Sequence, residues 1–160
     1  MNTHYEIERK FLVKYPELPL PFTLGVSHIV QTYLLAQPGV SERVRHRDGK
    51  YYHTRKVRIS GARAEESEGE ITRARYEELL VRRDPACNTI EKDRHVFDYK
   101  GQIFELDIFP FWRNQAMLEI ELPDEGTPVE FPPFLTVLGE VTDDPAYKNH
   151  SMARHIPPEE

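Results

Sequence analysis

The 160 residues amount to about one domain, enough chain to bury a core without disulfide or metal staples. The formal net charge of −6 excludes a nucleic-acid coat protein, although a cationic run from Arg43 to Arg58 hides inside that average. No apolar stretch is long enough to span a membrane, and charge from Glu6 onward excludes a signal peptide, so a cytoplasmic setting is expected. Cys87 is the single cysteine, which rules out an internal disulfide or a cysteine-based metal cluster; with no nucleophile pattern around it, it reads as a loop thiol.

In chain order, Tyr5 to Val13 is extended and stops before a proline-rich stretch, Tyr15 to Pro21, that cannot be a long helix. His28 to Ala36 is β-branched and aromatic enough for a strand, turned by Pro38-Gly39. Arg43 to Arg47 and Tyr51 to Ile59 flank Asp48-Gly49, a hairpin signal. Glu66 to Ile71 is another strand. Thr72 suits the N-cap of a helix from Arg73 to about Arg83, with Ile71 and Tyr76 as a hydrophobic staple and Tyr76, Leu79 and Leu80 as its buried stripe. Strands resume at Thr89 to Tyr99, Gln102 to Phe109 and Ala116 to Leu122, and Val141 to Asp143 is extended. Asp144-Pro145 suits the start of a short helix carrying Tyr147, Lys148 and Asn149. The spacing predicts a mainly antiparallel α+β domain over residues 1–155, with a frayed tail at 156–160. Some eight strands form one barrel or sandwich with peripheral helices.

Three stretches place carboxylates two residues apart around an apolar residue: Glu6-Ile7-Glu8, Glu105-Leu106-Asp107 and Glu119-Ile120-Glu121. In a strand such pairs share a face. One pair is what any half-wetted antiparallel sheet shows. Three pairs plus a basic run mean more if the sheet closes, because the polar face then points into a lumen. Crowded carboxylates there demand cations, and oxygen donors suit Mg²⁺ or Mn²⁺. Arg43, Arg45 and Lys56 fall on polar strand faces, and Lys92 and Arg94 repeat the spacing. A lumen holding anionic metal ligands and a cationic set suits a polyphosphate or nucleoside triphosphate. An outer RNA patch is the rival for the basic run, but it lacks interleaved aromatics beyond Tyr51 and Tyr52. The histidines, His46, His53 and His95 among them, show no helical metal spacing. Phe109 to Trp112 reads as core or rim.

Taken in order, these motifs resemble the CYTH family, the triphosphate tunnel metalloenzymes. Glu6-Ile7-Glu8-Arg9-Lys10 is similar to its opening E-x-E-x-K, Gln31 to Leu34 to its second strand, Arg43-Val44-Arg45 to R-x-R, and Thr54-Arg55-Lys56 to T-x-K. Lys92-Asp93-Arg94 resembles K-x-R, Glu105 to Phe109 E-x-D-x-F, Leu118 to Leu122 the E-x-E strand, and Val141 to Asn149 the closing motif. Arg63 to Glu68 is off by one from the family's R-x-E-x-E: either a bulge restores the register, or the roles of Arg63, Glu66 and Glu68 do not transfer. The resemblance implies an eight-stranded closed tunnel, open at both ends. It implies that Lys10, Arg43, Arg45, Lys56, Arg94 and Lys148 grip the triphosphate. Glu6, Glu8, Glu119 and Glu121 hold one or two Mg²⁺ or Mn²⁺ ions, with Glu105 and Asp107 nearby. Lys10, Glu119 and Glu121 are the expected catalytic residues, with Tyr33 and Lys92 as further tunnel candidates.

The expected activity is metal-dependent hydrolysis of inorganic triphosphate, because little chain remains for a base- or thiamine-binding annex. The alternatives are a class IV type adenylyl cyclase, a thiamine or nucleoside triphosphatase, and a polyphosphate-binding module without turnover. The expected partner is a small-molecule triphosphate, with no nucleic acid and no membrane; oligomeric state is left open.

Overall fold

In the computed structural model, antiparallel pairing from strand to strand closes one sheet on itself. Residues 2–61 and 63–159 are described, with side chains from Ile7 onward. The strands are β1 (Asn2–Lys14), β2 (Thr23–Tyr33), β3 (Val40–Arg47), β4 (Lys50–Ser60), β5 (Arg63–Ile71), β6 (Ile90–Tyr99), β7 (Gln102–Ile108), β8 (Gln115–Glu121) and β9 (Val137–Glu140). The helices are α1 (Arg73–Leu79) and α2 (Asn149–Arg154), with 3-10 turns at Leu80–Arg82 and Pro145–Tyr147.

The order β5-β4-β3-β2-β6-β7-β8-β1 is closed by a β1–β5 pairing, giving the expected eight-stranded barrel; β9 adds to the edge of β1. β1 is long enough to do all three jobs. Residues 2–7 pair with β5, residues 8–14 with β8, and Phe11 to Val13 with β9.

Local chemistry explains most element boundaries. Asp48 and Gly49 both take positive φ, 49° and 80°, the primed turn that matches strand twist. Lys100 and Gly101 repeat that device at the β6–β7 corner. Thr72 Oγ1 accepts the Arg75 N–H at 3.1 Å and caps α1. The expected helix to Arg83 is shorter as an α-helix, tightening to 3-10 geometry over Leu80–Arg82.

Three expectations are corrected. The strand expected to run to Ala36 ends at Tyr33, because Leu34 and Leu35 turn their N–H groups to the Glu42 and Arg82 carbonyls. The extended segment expected at Val141 to Asp143 is replaced by β9 just before it. There the Thr142 hydroxyl, not a further strand residue, accepts the Lys10 N–H at 3.0 Å and stops the ladder. The short helix expected around Tyr147, Lys148 and Asn149 is split: Lys148 has extended backbone between the 3-10 turn and α2.

The largest apolar core lies outside the barrel wall. Phe11, Val13, Phe97, Phe104, Leu106, Leu118 and Ile120 face outward and are covered by Leu122, Phe131, Phe134 and Leu135 of the β8–β9 connection. A second cluster fills part of one barrel end, where Leu12, Phe109, Trp112 and Met117 meet Tyr147, Met152 and Ala153. The bore is therefore plugged on the β7–β8 side of that end rather than fully open. The third cluster, Leu34, Val44 and Leu79, lies under α1. Wherever the wall's outer face is greasy its inner face is free to be polar, and that inversion makes room for a charged site. Pro157 and Glu159 also accept hydrogen bonds, from the Trp112 indole and from the Arg113 and Asn114 backbone.

Candidate active site

Residues directly opposite in an antiparallel pair project to the same side. Following the registers around the barrel therefore sorts the charged residues without ambiguity. Glu8 faces Glu121 and Lys10 faces Glu119. Glu119 faces Glu105, and Asp107 faces Arg94. Lys92 shares a side with Ile29 and hence with Gln31, which faces Arg45, while Tyr33 faces Arg43. Arg43 faces Thr54, which faces Glu68, and Lys56 faces Glu66. These strand residues, from Glu8 to Glu121, thus share one inner wall. The Glu6 side chain lies outside the described residues.

The off-by-one segment stays out of phase, and the bulge found beside it lies on the neighbouring strand β4. Register shifts between Arg58 and Ser60, so Ile59 is the extra residue on β4. Glu66 and Glu68 reach the inner face through their pairs with Lys56 and Thr54, away from that shift; the residue in phase with them is Ala64, so Arg63 does not take the place the resemblance implies. Arg58 stands directly across from Ala64.

The lumen has two electrostatic zones. In the first, Asp107 is fully buried and accepts Arg94 Nε and Nη2, each at 2.8 Å, and Lys92 Nζ lies at 2.9 Å. Burial alone would raise the Asp107 pKa, but Arg94 and Lys92 hold it well below the usual carboxylate range. Burial pushes Lys92 down to about 8, against the pull of Asp107. Glu105, 3.3 Å from Arg94, is raised by burial and by Glu119 and Asp107.

The second zone is a cavity of about 530 Å³ at the barrel end beside α2, lined by Glu8, Lys10, Tyr33, Arg43, Lys56, Arg58, Arg63, Ala64, Lys148 and His150 among others. Burial lowers the Lys148 pKa, and Arg58, Lys10 and Lys56 lower it further. Lys10 joins the zones: its Nζ lies 3.8 Å from both Glu8 and Glu119. Deeper in, Arg45 holds Glu68 at 2.6 Å and burial pushes Arg45 down to about 10, helped by Arg43. Arg43 Nε, Arg45 Nε and Glu119 Oε1 are shielded from solvent and make no hydrogen bond in the described structure. Buried polar atoms of both signs that make no hydrogen bond in one lumen leave places for a ligand, an ion or water.

Of the expected phosphate-gripping residues, Lys10, Arg43, Lys56 and Lys148 share the cavity, and Arg45 and Arg94 lie further along the lumen. Sequence reasoning missed Arg58, although it continues the Thr54, Lys56 alternation by one more step; Arg154, on α2, offered no strand signal. Glu121 shares the inner wall yet is itself exposed. The donors Glu8, Glu119 and Glu121 are all carboxylates, a set that fits a hard divalent ion, and the unbonded Glu119 Oε1 is the atom best placed to accept one.

A closed antiparallel barrel with an inner wall of alternating acids and bases defines a polyanion-binding tunnel. The CYTH domain model matches residues 4–131, and the chain belongs to the CYTH family. The inorganic triphosphatase of Nitrosomonas europaea is 35% identical over 160 residues, covering 95% of this chain and 99% of that protein. The crystal structure of an inorganic triphosphatase superposes with a TM-score of 0.62 at 30% identity, over 96% of this chain and 97% of that one. A Hippeastrum protein named as an adenylyl cyclase and described as having a dominant triphosphatase activity superposes with a TM-score of 0.53 at 17% identity, over 73% and 80% of the two chains. That last likeness shows the fold alone.

Proposed function

We propose that this chain is a divalent-metal-dependent hydrolase of inorganic triphosphate. The observation that carries the reading is the joining of a cation-rich cavity to a carboxylate pair through Lys10, in one lumen. The 35% identity to an inorganic triphosphatase along nearly the whole chain supports the substrate. The cavity's lining holds Tyr33 and His150 as its aromatic groups, and both are stacked on each other at 4.7 Å rather than set apart to sandwich a base.

In this reading Lys10, Arg43, Lys56 and Lys148 neutralise phosphate oxygens and hold the chain in line for attack, with Arg45 behind them. Phosphoryl transfer asks mostly for such positioning and charge stabilisation. Glu8, Glu119 and Glu121 would hold Mg²⁺ or Mn²⁺. A divalent ion held there would supply Lewis-acid charge neutralisation to the substrate. A lumen carboxylate orients water toward the terminal phosphorus; the P–O bond to the bridging oxygen breaks, giving phosphate and diphosphate. Lys92 and Arg94, locked onto Asp107, keep a fixed positive wall behind this centre.

The test is a panel of triphosphate, ATP and thiamine triphosphate with Mg²⁺ or Mn²⁺, scoring phosphate and cyclic AMP separately. Phosphate from triphosphate above the other two is the expected result, and cyclic AMP from ATP is the result that overturns it. Glu119→Gln should lower turnover by a factor of about 100 or more while leaving thermal unfolding nearly unchanged, since a carboxylate donor is lost and no apolar contact is.

A further inference from the structure

At the edge of the cavity, where α2 meets the turn after the Leu80–Arg82 segment, three side chains of different donor chemistry converge. A carboxylate oxygen of Asp84, Cys87 Sγ and a ring nitrogen of His150 all lie within 4.8 Å of one another. Among the described residues, this is the trio of His, Cys, Asp or Glu side chains that gathers so closely.

The scaffold holding them is rigid. Asp84 N–H donates to the Tyr33 carbonyl at 3.0 Å, Cys87 N–H to the Asp84 carbonyl at 3.1 Å, and Asn88 N–H to the Ala153 carbonyl at 2.7 Å. The turn carrying Asp84 and Cys87 is thus tied both to β2 and to α2, the helix that carries His150. Asp84 is 4% exposed, its Oδ1 accepting the Ala86 N–H and its Oδ2 accepting Arg154, each at 2.9 Å. His150 has its ring plane set by stacking on Tyr33, with 6° between the planes.

The Arg154 ion pair and the Cys87 thiol, which donates to the same carboxylate, account for Asp84 and for the approach of Cys87. They leave His150 unexplained: Nε2 is shielded from solvent, makes no hydrogen bond in the described structure, and points toward Asp84 Oδ2 at 4.0 Å. A shielded ring nitrogen that makes no hydrogen bond is a position an ion or a water can fill. Burial and Arg154 lower the His150 pKa, which keeps the ring neutral and its lone pair available.

We propose that Asp84, Cys87 and His150 form a binding site for one borderline-soft divalent ion of the zinc class, separate from the carboxylate site in the lumen. Sulfur, nitrogen and oxygen together select such an ion over Mg²⁺, which keeps to oxygen. Binding forms an S–metal bond as the Cys87 thiol proton leaves to solvent; His150 and Asp84 bind without losing one. Oδ2 keeps a second lone pair, so Arg154 need not leave.

Cys87 is the sole cysteine, so a thiolate-to-metal charge-transfer band can report on no other place in the chain. The intact chain, with excess Mg²⁺ present, is titrated with Co²⁺ and followed in the near ultraviolet. The expected result is a thiolate band saturating at one equivalent, displaced by Zn²⁺, absent in Cys87→Ser and weakened in affinity by about 10-fold or more in His150→Ala. Far-UV circular dichroism checks that both variants fold. Absence of the band overturns the site, as does a band whose affinity is the same in His150→Ala, since the thiol would then bind metal alone.

Discussion

Asp107 carries more of the inner wall than its single charge suggests. It is the common partner of Lys92 and Arg94, and Lys92 and Asp107 side chains are both 0% exposed. Such a group is costly to remove because the partners' charges stay behind, buried and unmatched. Asp107→Ala should cost about 3–5 kcal/mol of folding free energy, measured by urea unfolding. Adding Lys92→Met should restore part of that loss, because one stranded charge goes with it. Additive losses in the double variant would show that the two groups are not coupled. At this scale the sequence was informative because i, i+2 alternation survives translation into a barrel: Glu8, Lys10, Arg43, Arg45, Lys56, Arg94, Asp107 and Glu119 do share the inner wall. The pairing of Arg94 with Asp107 was not legible, since two ladder positions must meet before the fork finds its carboxylate. Nor was the His150–Cys87 meeting, between residues on different elements that only the docking of α2 brings together.

At the scale of elements, the 3-10 extension of α1 is tied to the barrel by one carboxylate, beside the apolar contacts under α1. Glu42, on the outward side of β3, takes His53 Nε2 at 2.7 Å and Arg82 at 3.1 and 3.2 Å. Burial opposes its ionisation, yet Arg82 and His53 together hold its pKa below the ordinary 4.5. A depressed carboxylate pKa gives stability that is present above 4.5 and lost as pH falls through the folded value. Glu42→Gln should therefore flatten the acid side of the curve of Tm against pH and lower stability by about 1–3 kcal/mol near neutrality. A variant curve running parallel to the parent's from neutral to acid pH would sink the idea. The hairpin turn at Asp48-Gly49 and the Thr72 cap were readable, because each depends on adjacent residues. β9 and α2 were not, because β9 exists through its pairing with β1 and α2 has six residues, too few for a helical stripe to show.

Across the whole molecule, a chain of net charge −6 gathers Lys10, Lys56, Arg58 and Lys148 around one cavity. Mutual repulsion among them is visible in Lys148, whose pKa lies below 10.5 through burial first and then Arg58, Lys10 and Lys56. A polyanion in the cavity reverses that balance, since it favours the charged form of every lysine it touches. Binding should then draw a proton onto Lys148 at any pH between its lowered value and the ordinary one. The measurement is calorimetric binding of triphosphate at a pH about one unit below the ordinary lysine value, in two buffers of different ionisation enthalpy. Glu119→Gln without added metal serves as the background, so that turnover is kept low while binding is read. Proton uptake should exceed that of the same protein carrying Lys148→Met, a difference that removes any protonation of the ligand itself. Arg58→Ala should shrink the uptake as well, because relieving the repulsion lets Lys148 start closer to fully protonated. Equal uptake with and without the Lys148 amine would mean that the cation cluster does not meet the phosphates, and that the polyanion sits elsewhere in the bore.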